Sequence, residues 1–176
     1  MAEVVEAVPA ASVIVLREAP LEVLLLRRHE KSSFVPDAWV FPGGMMEEED
    51  GGDFRVTAAR ELREETGIAV DAQTLVATSR WITPVGLPKR FDTWFFLAKV
   101  EHDVAITVQQ SELVEALWIT PAGALARKDL KMVFPTIKNL EALTAFASAD
   151  ALIDSRRGAI IEAIQPVLAG GRPTLP

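Results

Sequence analysis

The segment from Arg60 to Ile68 constrains this chain most, because it places three carboxylates on one face of a predicted helix. Residues three and four positions apart are neighbours on a helix surface, so Glu61 lies beside both Glu64 and Glu65. Like charges at that spacing destabilise a helix by roughly 0.2–0.5 kcal/mol per pair. A divalent cation would reverse the sign of this effect, since Mg²⁺ prefers carboxylate oxygens. The segment therefore indicates a helix that ends at Gly67 and carries a metal site.

A glycine-containing turn precedes this helix. The chain reads Phe41-Pro42-Gly43-Gly44, in which a rigid proline is followed by two residues without a Cβ atom. Glycine lets a backbone approach a metal ion or a phosphate closely, although a simple turn after a strand would use the same residues. Between the turn and the helix, five of the seven residues from 47 to 53 are acidic. They form either a solvated loop or part of the same site.

Together these features resemble the Nudix box, G-x5-E-x7-R-E-U-x-E-E-x-G-U, in which U is an aliphatic residue. The second half of the pattern is matched at every fixed position, namely Arg60, Glu61, Leu62, Glu64, Glu65, Gly67 and Ile68. The first half departs from the pattern in two ways. Fifteen residues separate Gly44 from Arg60, two more than the pattern has. Asp50 stands at the position where the pattern has its first glutamate. We expect the two additional residues in the Gly51-Gly52 loop, because loop-closure entropy grows slowly with length.

The resemblance implies a hydrolase that cleaves phosphoanhydride bonds with the help of Mg²⁺ or Mn²⁺. Four residues would supply ligands for the metal, namely the carboxylates of Glu61, Glu64 and Glu65 and the carbonyl of Gly44. Glu61 and Glu64 would also act in catalysis, and Arg60, four residues before Glu64, would orient its carboxylate. The metal would neutralise the diphosphate and acidify the attacking water.

A further carboxylate outside the helix is needed to take a proton from that water. Glu112 precedes Trp118 by six residues, and in several Nudix enzymes a glutamate at that spacing serves as an additional ligand or as the base. Glu115 is the alternative. Either residue would otherwise be an ordinary loop carboxylate.

The segment from residue 81 to residue 96 combines aromatic residues with a basic pair. Arg90 would clamp a phosphate through its guanidinium group, while Trp81 or Phe91 would stack on a base. Alternating positions in a strand point to opposite faces of a sheet. We therefore expect at least two of the aromatics in this block to belong to the core.

The same block resembles the coenzyme A diphosphatases of the nineteenth human type. A second coenzyme A signature, a Leu-Leu-Thr-x-Arg run with a further arginine, is only partly present at Leu24–Arg28. The predicted substrate is a nucleoside diphosphate linked to another moiety, with coenzyme A or an acyl-coenzyme A as one candidate. The alternatives are an ADP-ribose, NADH or NTP pyrophosphatase and a non-catalytic nucleotide sensor.

Composition narrows the partners. A net charge of −7 argues against a nucleic-acid backbone as the main partner, and the absence of cysteine excludes disulfides and zinc–thiolate sites. No basic leader and no run of eighteen apolar residues is present, so we expect a cytoplasmic protein without a membrane segment. The apolar C-terminal helices would serve a homodimer as readily as a monomer.

The order of the predicted strands and helices indicates an α+β fold with a mixed sheet between helices. The resemblance to the Nudix family implies the same arrangement, an α/β/α sandwich. The predicted strands span residues 11–16, 22–28, 38–41, 75–82, 91–100 and 113–119. The predicted helices span residues 54–66, 121–127, 135–147 and 149–168, the last with Pro166 near its end. We expect a single domain over residues 1–176 with a helical extension at about 135–170.

Overall fold

The computed structural model describes residues 4–176 and contains ten strands and four α-helices in that range. The strands are β1 Val8–Arg17, β2 Glu22–Arg28, β3 Trp39–Val40, β4 Gly43–Met45, β5 Val76–Ile82, β6 Phe91–Lys99, β7 Leu113–Ile119, β8 Ala163–Ile164, β9 Val167–Ala169 and β10 Arg172–Thr174. The helices are α1 Phe54–Thr66, α2 Pro121–Ala126, α3 Phe134–Leu143 and α4 Ala149–Arg156, with 3₁₀ turns at Glu48–Asp50 and Ala72–Thr74.

Eight of these strands form one mixed sheet in the order β3-β2-β1-β6-β5-β8, with β4 paired to β1 and β7 paired to β2. The central β1 runs parallel to β6, with Val8 opposite Phe91. It runs antiparallel to β4, with Ser12 opposite Gly43. This double pairing brings the glycine turn and the start of β6 onto the same central strand.

The two faces of the sheet bury separate apolar clusters. On β1, Ile14 and Leu16 contribute to the cluster covered by α3 and α4, while Val13 and Val15 contribute to the cluster that contains Leu62 of α1. All four β1 side chains are fully buried. This alternation follows from the period of two in a strand, and it confirms the α+β class with helices on both faces of a mixed sheet.

The prediction of a helix over residues 149–168 was wrong beyond its second turn. Helix α4 ends at Arg156, and Gly158 adopts a left-handed conformation with φ 69° soon after it. The chain then adds the short strand β8 to the edge of the sheet and turns back at Gly170-Gly171 to form the hairpin of β9 and β10. Two adjacent residues with positive φ are typical of a tight hairpin turn. None of the helices described between residues 4 and 176 is long and apolar enough to cross a membrane.

Candidate functional site

A cleft of about 1510 Å³ opens between β4, the carboxylate face of α1, the start of β6 and the C-terminal hairpin. Most of the residues predicted for the site line it, namely Gly44, Glu61, Glu64, Glu65, Trp81, Phe91 and Glu112. Arg60 and Arg90 do not line the cleft. The structure therefore brings together residues from five elements that lie far apart in the sequence.

Helix α1 has well-defined ends that determine which face it presents. The Asp53 side chain caps its start by accepting a hydrogen bond from the Arg55 amide at 2.9 Å. Gly67 ends the helix with φ 76°, and its amide donates to the Arg63 carbonyl at 2.9 Å. Leu62 is fully buried against the sheet. With that side anchored, the acidic residues at neighbouring positions face the cleft.

Strand β4 and helix α1 are in direct contact through the two glycines and the acidic side chains. The Gly43 amide donates a hydrogen bond to Oε2 of Glu65 at 2.9 Å. A Cβ atom added to Gly44 would lie 2.4 Å from the carboxyl carbon of Glu61, well inside van der Waals contact. The glycine turn is therefore in direct contact with the acidic helix, as the proposed metal and phosphate chemistry requires.

Asp50 is the partner of Arg60 despite the two additional residues before the helix. Its two carboxylate oxygens accept hydrogen bonds from Nε and Nη2 of Arg60 at 2.9 and 3.0 Å. It also accepts from Thr57 Oγ1 at 2.8 Å and from the Glu47 amide at 2.9 Å. The Arg60 guanidinium, more than any other group, lowers the pKa of Asp50 to about 2. The additional residues at Gly51-Gly52 leave this contact intact.

The same guanidinium reaches the carboxylate face of α1. Nη1 of Arg60 donates to Glu61 at 2.9 Å and to Glu64 at 3.3 Å, and Nη2 donates to the Met45 carbonyl at 3.0 Å. Hydrogen bonding to Asp50 is the largest cause that raises the pKa of Arg60. Arg60 thus joins β4, the acidic turn and two site carboxylates, a geometry suited to positioning Glu64 and Glu61.

Burial alters the protonation of two of the three carboxylates. Glu65 is only 7% exposed, and burial, assisted by the nearby charges of Glu61 and Glu112, raises its pKa to about 8. Burial also raises the pKa of Glu61, although the hydrogen bond from Arg60 opposes that change. A buried carboxylate among others retains a proton or requires a nearby cation.

The donor types of the site fit a hard divalent cation. Carboxylate oxygens and a backbone carbonyl are the ligands that Mg²⁺ and Mn²⁺ take in proteins. Burial raises the pKa of Glu65, and a bound cation would favour its ionised form. Within residues 4–176, no three acidic or histidine side chains already converge on one ion position. Instead, Glu61 and Glu64 share Nη1 of Arg60. Binding of an ion would therefore require these side chains to rotate.

Arg90 does not have the position that a phosphate clamp needs. It is only 7% exposed, and it donates hydrogen bonds to the Thr83 carbonyl at 3.0 Å and to the Val5 carbonyl at 2.6 Å. These bonds hold the segment before β1 against the loop before β6. The predicted phosphate contact has no support in this geometry, which indicates a structural role.

The two candidate bases differ in their surroundings. Glu112 lines the cleft, and its charge is near enough to Glu65 to help raise the pKa of that residue. Glu115 lies on β7 outside the cleft, and it accepts a hydrogen bond from Nε of Arg27 at 3.1 Å. The geometry favours Glu112.

The aromatic residues divide between the core and the cleft. Phe96 is buried in the cluster on the α1 side, and Trp94 packs against the same cluster, which confirms that at least two of these aromatics belong to the core. Phe91 lines the cleft and packs edge-on against Phe34, with ring centroids 5.1 Å apart. Trp81 lines the cleft from a nearly buried position, only 6% exposed.

Sequence reasoning missed several residues of the cleft. Arg28 is the last residue of β2, and Phe34 comes from the segment between β2 and β3. Lys89 comes from the loop before β6, and Arg172 comes from β10. Arg28 stands at the end of the partial Leu24–Arg28 signature, which was the one available signal. Lys89 belongs to the basic pair of residues 81–96, of which only Arg90 was predicted to bind a phosphate. Phe34 and Arg172 have no distinguishing motif, because only the tertiary fold brings them to the site.

Comparison with known proteins identifies the family. Residues 7–139 match the model of the NUDIX domain. The chain belongs to the Nudix family. Nudix hydrolases generally use divalent metal ions, in agreement with the donor types at Gly44 and along α1.

Three Nudix relatives show how far the likeness extends. The Caenorhabditis elegans protein named nudix hydrolase 7 is 31% identical over 150 residues, covering 64% of this chain and 51% of its own length. The peroxisomal coenzyme A diphosphatase ndx-8 of the same organism is 45% identical over 56 residues, covering 32% of this chain and 24% of its own length. A NUDIX hydrolase structure from Alicyclobacillus acidocaldarius superposes with a TM-score of 0.77 at 27% identity, over 85% of this chain and 96% of that one. The chain thus spans about half or less of the two curated relatives.

Proposed function

We propose that this Nudix chain hydrolyses a phosphoanhydride bond in a nucleoside diphosphate linked to another moiety, with the help of a divalent metal ion. One observation carries the proposal: the three carboxylates in complete Nudix register line the same cleft as the Gly43-Gly44 turn, and two of them, Glu61 and Glu65, contact it directly. A charged surface helix would not require glycine opposite its acidic face.

The site residues would divide the work as follows. Glu61, Glu64 and Glu65, with the carbonyl of Gly44, would hold Mg²⁺ or Mn²⁺, which when bound supplies charge neutralisation at the diphosphate and a more acidic water. Arg60 would keep Glu61 and Glu64 in position through Nη1, and it would itself be fixed by its paired hydrogen bonds to Asp50. Arg60 is thus a positioning residue that does not touch the reacting atoms.

Glu112 would serve as the additional ligand or as the base that accepts the proton of the attacking water. Its support is its place on the cleft wall close to Glu65. The alternative, Glu115, is turned toward Arg27 at the edge of the sheet. Replacement of Glu112 by glutamine should therefore change the pH dependence of kcat, whereas replacement of Glu115 should not.

Substrate recognition would use the aromatic and basic walls of the cleft. Phe91 presents a ring that a nucleobase or another planar group could contact. Trp81 lines the same cleft from β5 but is mostly buried in the core cluster, so it would support this wall rather than stack on the base. Arg28 lies on the same cleft wall, and its charge partly offsets the rise in the pKa of Glu65. A guanidinium near the carboxylates would also favour a bound diphosphate.

Coenzyme A or an acyl-coenzyme A is the substrate that the similarities favour. The support is the partial match to a coenzyme A diphosphatase together with the Leu24–Arg28 run. ADP-ribose, NADH and NTPs are the alternatives within hydrolysis. A nucleotide sensor is the alternative outside it, but a sensor has no need of the three carboxylates that this chain retains. The cytoplasmic location and the homodimer stay predictions.

A substrate screen tests the proposal. Purified protein is incubated with Mg²⁺ or Mn²⁺ and coenzyme A, acyl-coenzyme A, ADP-ribose, NADH, dinucleoside polyphosphates or NTPs, and the products are identified by mass spectrometry. We expect cleavage at a phosphoanhydride bond that requires the metal and is abolished by EDTA. Absence of metal-dependent cleavage across the panel, with nucleotide binding retained, would favour the sensor.

A further inference from the structure

The C-terminal hairpin forms a wall of the cleft although it lies outside the residues that match the family model. That match ends at residue 139, whereas β9 and β10 span residues 167–174. Arg172, Pro173 and the preceding Pro166 all line the cleft. The hairpin also lies against the loop between β5 and β6. The closeness is seen at Gly86 of that loop, where an added Cβ atom would be 3.7 Å from Cδ1 of Leu168 on the hairpin.

This contact places two unpaired cations on one side of the cleft. Lys89 is on the loop that the hairpin touches, and Arg172 is on the hairpin itself; both line the cleft and both are exposed. Within residues 4–176, neither side chain forms an ion pair or a hydrogen bond, whereas Arg28 donates to Ser32 at 2.7 Å. Two free cations on adjacent elements suit an anionic group of a ligand.

These cations lie too far from the metal-binding face to serve the scissile diphosphate. Phe91 is opposite Val8 on β1, and Gly43 is opposite Ser12 on the same strand. Four residues along a strand correspond to roughly 13 Å, and Lys89 precedes Phe91 by two further positions. A single diphosphate cannot be bound at both places. Phe91 lines the same cleft.

We propose that Lys89 and Arg172 form a subsite for a second phosphate group, a phosphomonoester carried by the nucleoside of the substrate. The inference rests on the proposed function, because it places the scissile diphosphate at the carboxylates and the nucleoside beside Phe91. It narrows the substrate class to nucleoside diphosphate derivatives whose ribose bears an additional phosphate. Coenzyme A carries this additional phosphate at the 3′ position of the ribose, and NADPH carries it at the 2′ position.

Binding of small nucleotides tests this subsite without any need for turnover. Calorimetry is performed with adenosine 5′-monophosphate, adenosine 3′,5′-bisphosphate and adenosine 2′,5′-bisphosphate in the presence of Mg²⁺. We expect at least one bisphosphate to bind about tenfold more tightly than the monophosphate, since a charge-assisted contact is worth about that factor. The bisphosphate with the higher affinity distinguishes a 3′ from a 2′ phosphate.

The double variant Lys89→Ala/Arg172→Ala should bring the bisphosphate-to-monophosphate affinity ratio close to one and leave monophosphate binding within about twofold. Arg172→Lys in the Lys89 wild-type background should retain most of the ratio, and melting temperatures should show that all variants fold. Arg157→Ala is the matched control, because Arg157 is an exposed arginine on the C-terminal segment that does not line the cleft.

Two results would overturn the subsite: a ratio near one in the wild-type protein, or a ratio that survives in the double variant. Hydrolysis is scored separately in the substrate screen. Failure of the proposed hydrolysis would therefore be distinguishable from failure of the subsite, since the affinity ratio is measured in either case.

Discussion

At the scale of single residues, the Asp50–Arg60 pair has the largest structural consequences, because both side chains are mostly buried and Arg60 reaches two site carboxylates. The side chain of Asp50 is 1% exposed and that of Arg60 is 19% exposed. Removal of one member of such a pair leaves the other charge without compensation, at a cost of about 3 kcal/mol. This pair therefore connects the stability of the fold to the geometry of the site.

Asp50→Asn should lower the free energy of unfolding by about 3 kcal/mol and also lower kcat, because Arg60 would lose the ionised partner that fixes it. Urea denaturation at pH 7 measures the first effect and steady-state kinetics the second. Glu49→Gln is the matched control, since Glu49 is an exposed carboxylate of the same 3₁₀ turn. Equal stability of the two variants would show that the Asp50 contact contributes little.

Glu65 should make the metal-free protein less stable as the pH rises. Its pKa is about 8 in the folded protein against an ordinary value of 4.5, so between these values the folded state retains a proton that the unfolded state has lost. The free energy of unfolding then falls with pH, with a slope of at most about 1.4 kcal/mol per unit. Added Mg²⁺ should reduce this loss, because metal binding favours the ionised carboxylate.

The measurement is urea denaturation in EDTA at several pH values from 5 to 8. Glu65→Gln should flatten the curve over that range, since an amide does not titrate, while the contribution of Glu61, whose pKa is also raised by burial, remains in both proteins. If the wild-type and variant curves run parallel, Glu65 does not titrate in this range.

At the scale of elements, the close approach of β4 to α1 determines the site, and it can be tested at Gly44. Gly44→Ala would place a Cβ atom 2.4 Å from the Glu61 carboxyl carbon, so Glu61 would have to move away from its place beside Arg60. We expect kcat to fall at least tenfold and the Mg²⁺ concentration for half-maximal activity to rise.

Secondary structure and stability of the Gly44→Ala variant are followed by circular dichroism and thermal melting. A small change in melting temperature with a large loss of activity agrees with a local displacement of Glu61. Normal Mg²⁺ dependence in a well-folded variant would contradict the assignment of this contact to the metal site.

The local signals that the sequence carries explain which elements were predictable. Helix α1 was predicted at residues 54–66 and observed at Phe54–Thr66, because its N-cap aspartate and its C-terminal glycine are encoded locally. The segment after residue 156 was mispredicted, since its apolar residues are compatible with a helix. Only the pairing of β8 with β5 and the Gly170-Gly171 turn decide against it.

The same distinction applies to the site residues. The carboxylates of α1 were predictable because one motif contains them all. The buried position of Arg90 was not predictable, because it depends on a hydrogen bond to the Val5 carbonyl, 85 positions away in the chain. Lys89 and Arg172 both line the cleft because the hairpin packs Leu168 near Gly86, a contact that no spacing along the chain reveals.

At the scale of the whole molecule, the cleft is assembled from both ends of the chain around the central strand β1. One wall comes from β4 and α1, and the opposite parts come from β6, the segment before α3 and the C-terminal hairpin. The acidic face suits a metal that holds the reacting diphosphate, and the other walls suit the remainder of the substrate. Under the proposed function, catalysis and recognition would therefore be carried by different parts of the fold.

The kcat of Glu64→Gln, compared with that of Glu115→Gln, tests the central claim most directly. Both side chains are 52% exposed and both contact an arginine, but only Glu64 lines the cleft. With saturating Mg²⁺ and the substrate that the screen identifies, we expect kcat to fall at least 100-fold for Glu64→Gln and to stay within about twofold of wild type for Glu115→Gln, with similar melting temperatures. An unchanged kcat in Glu64→Gln would contradict the metal-dependent mechanism.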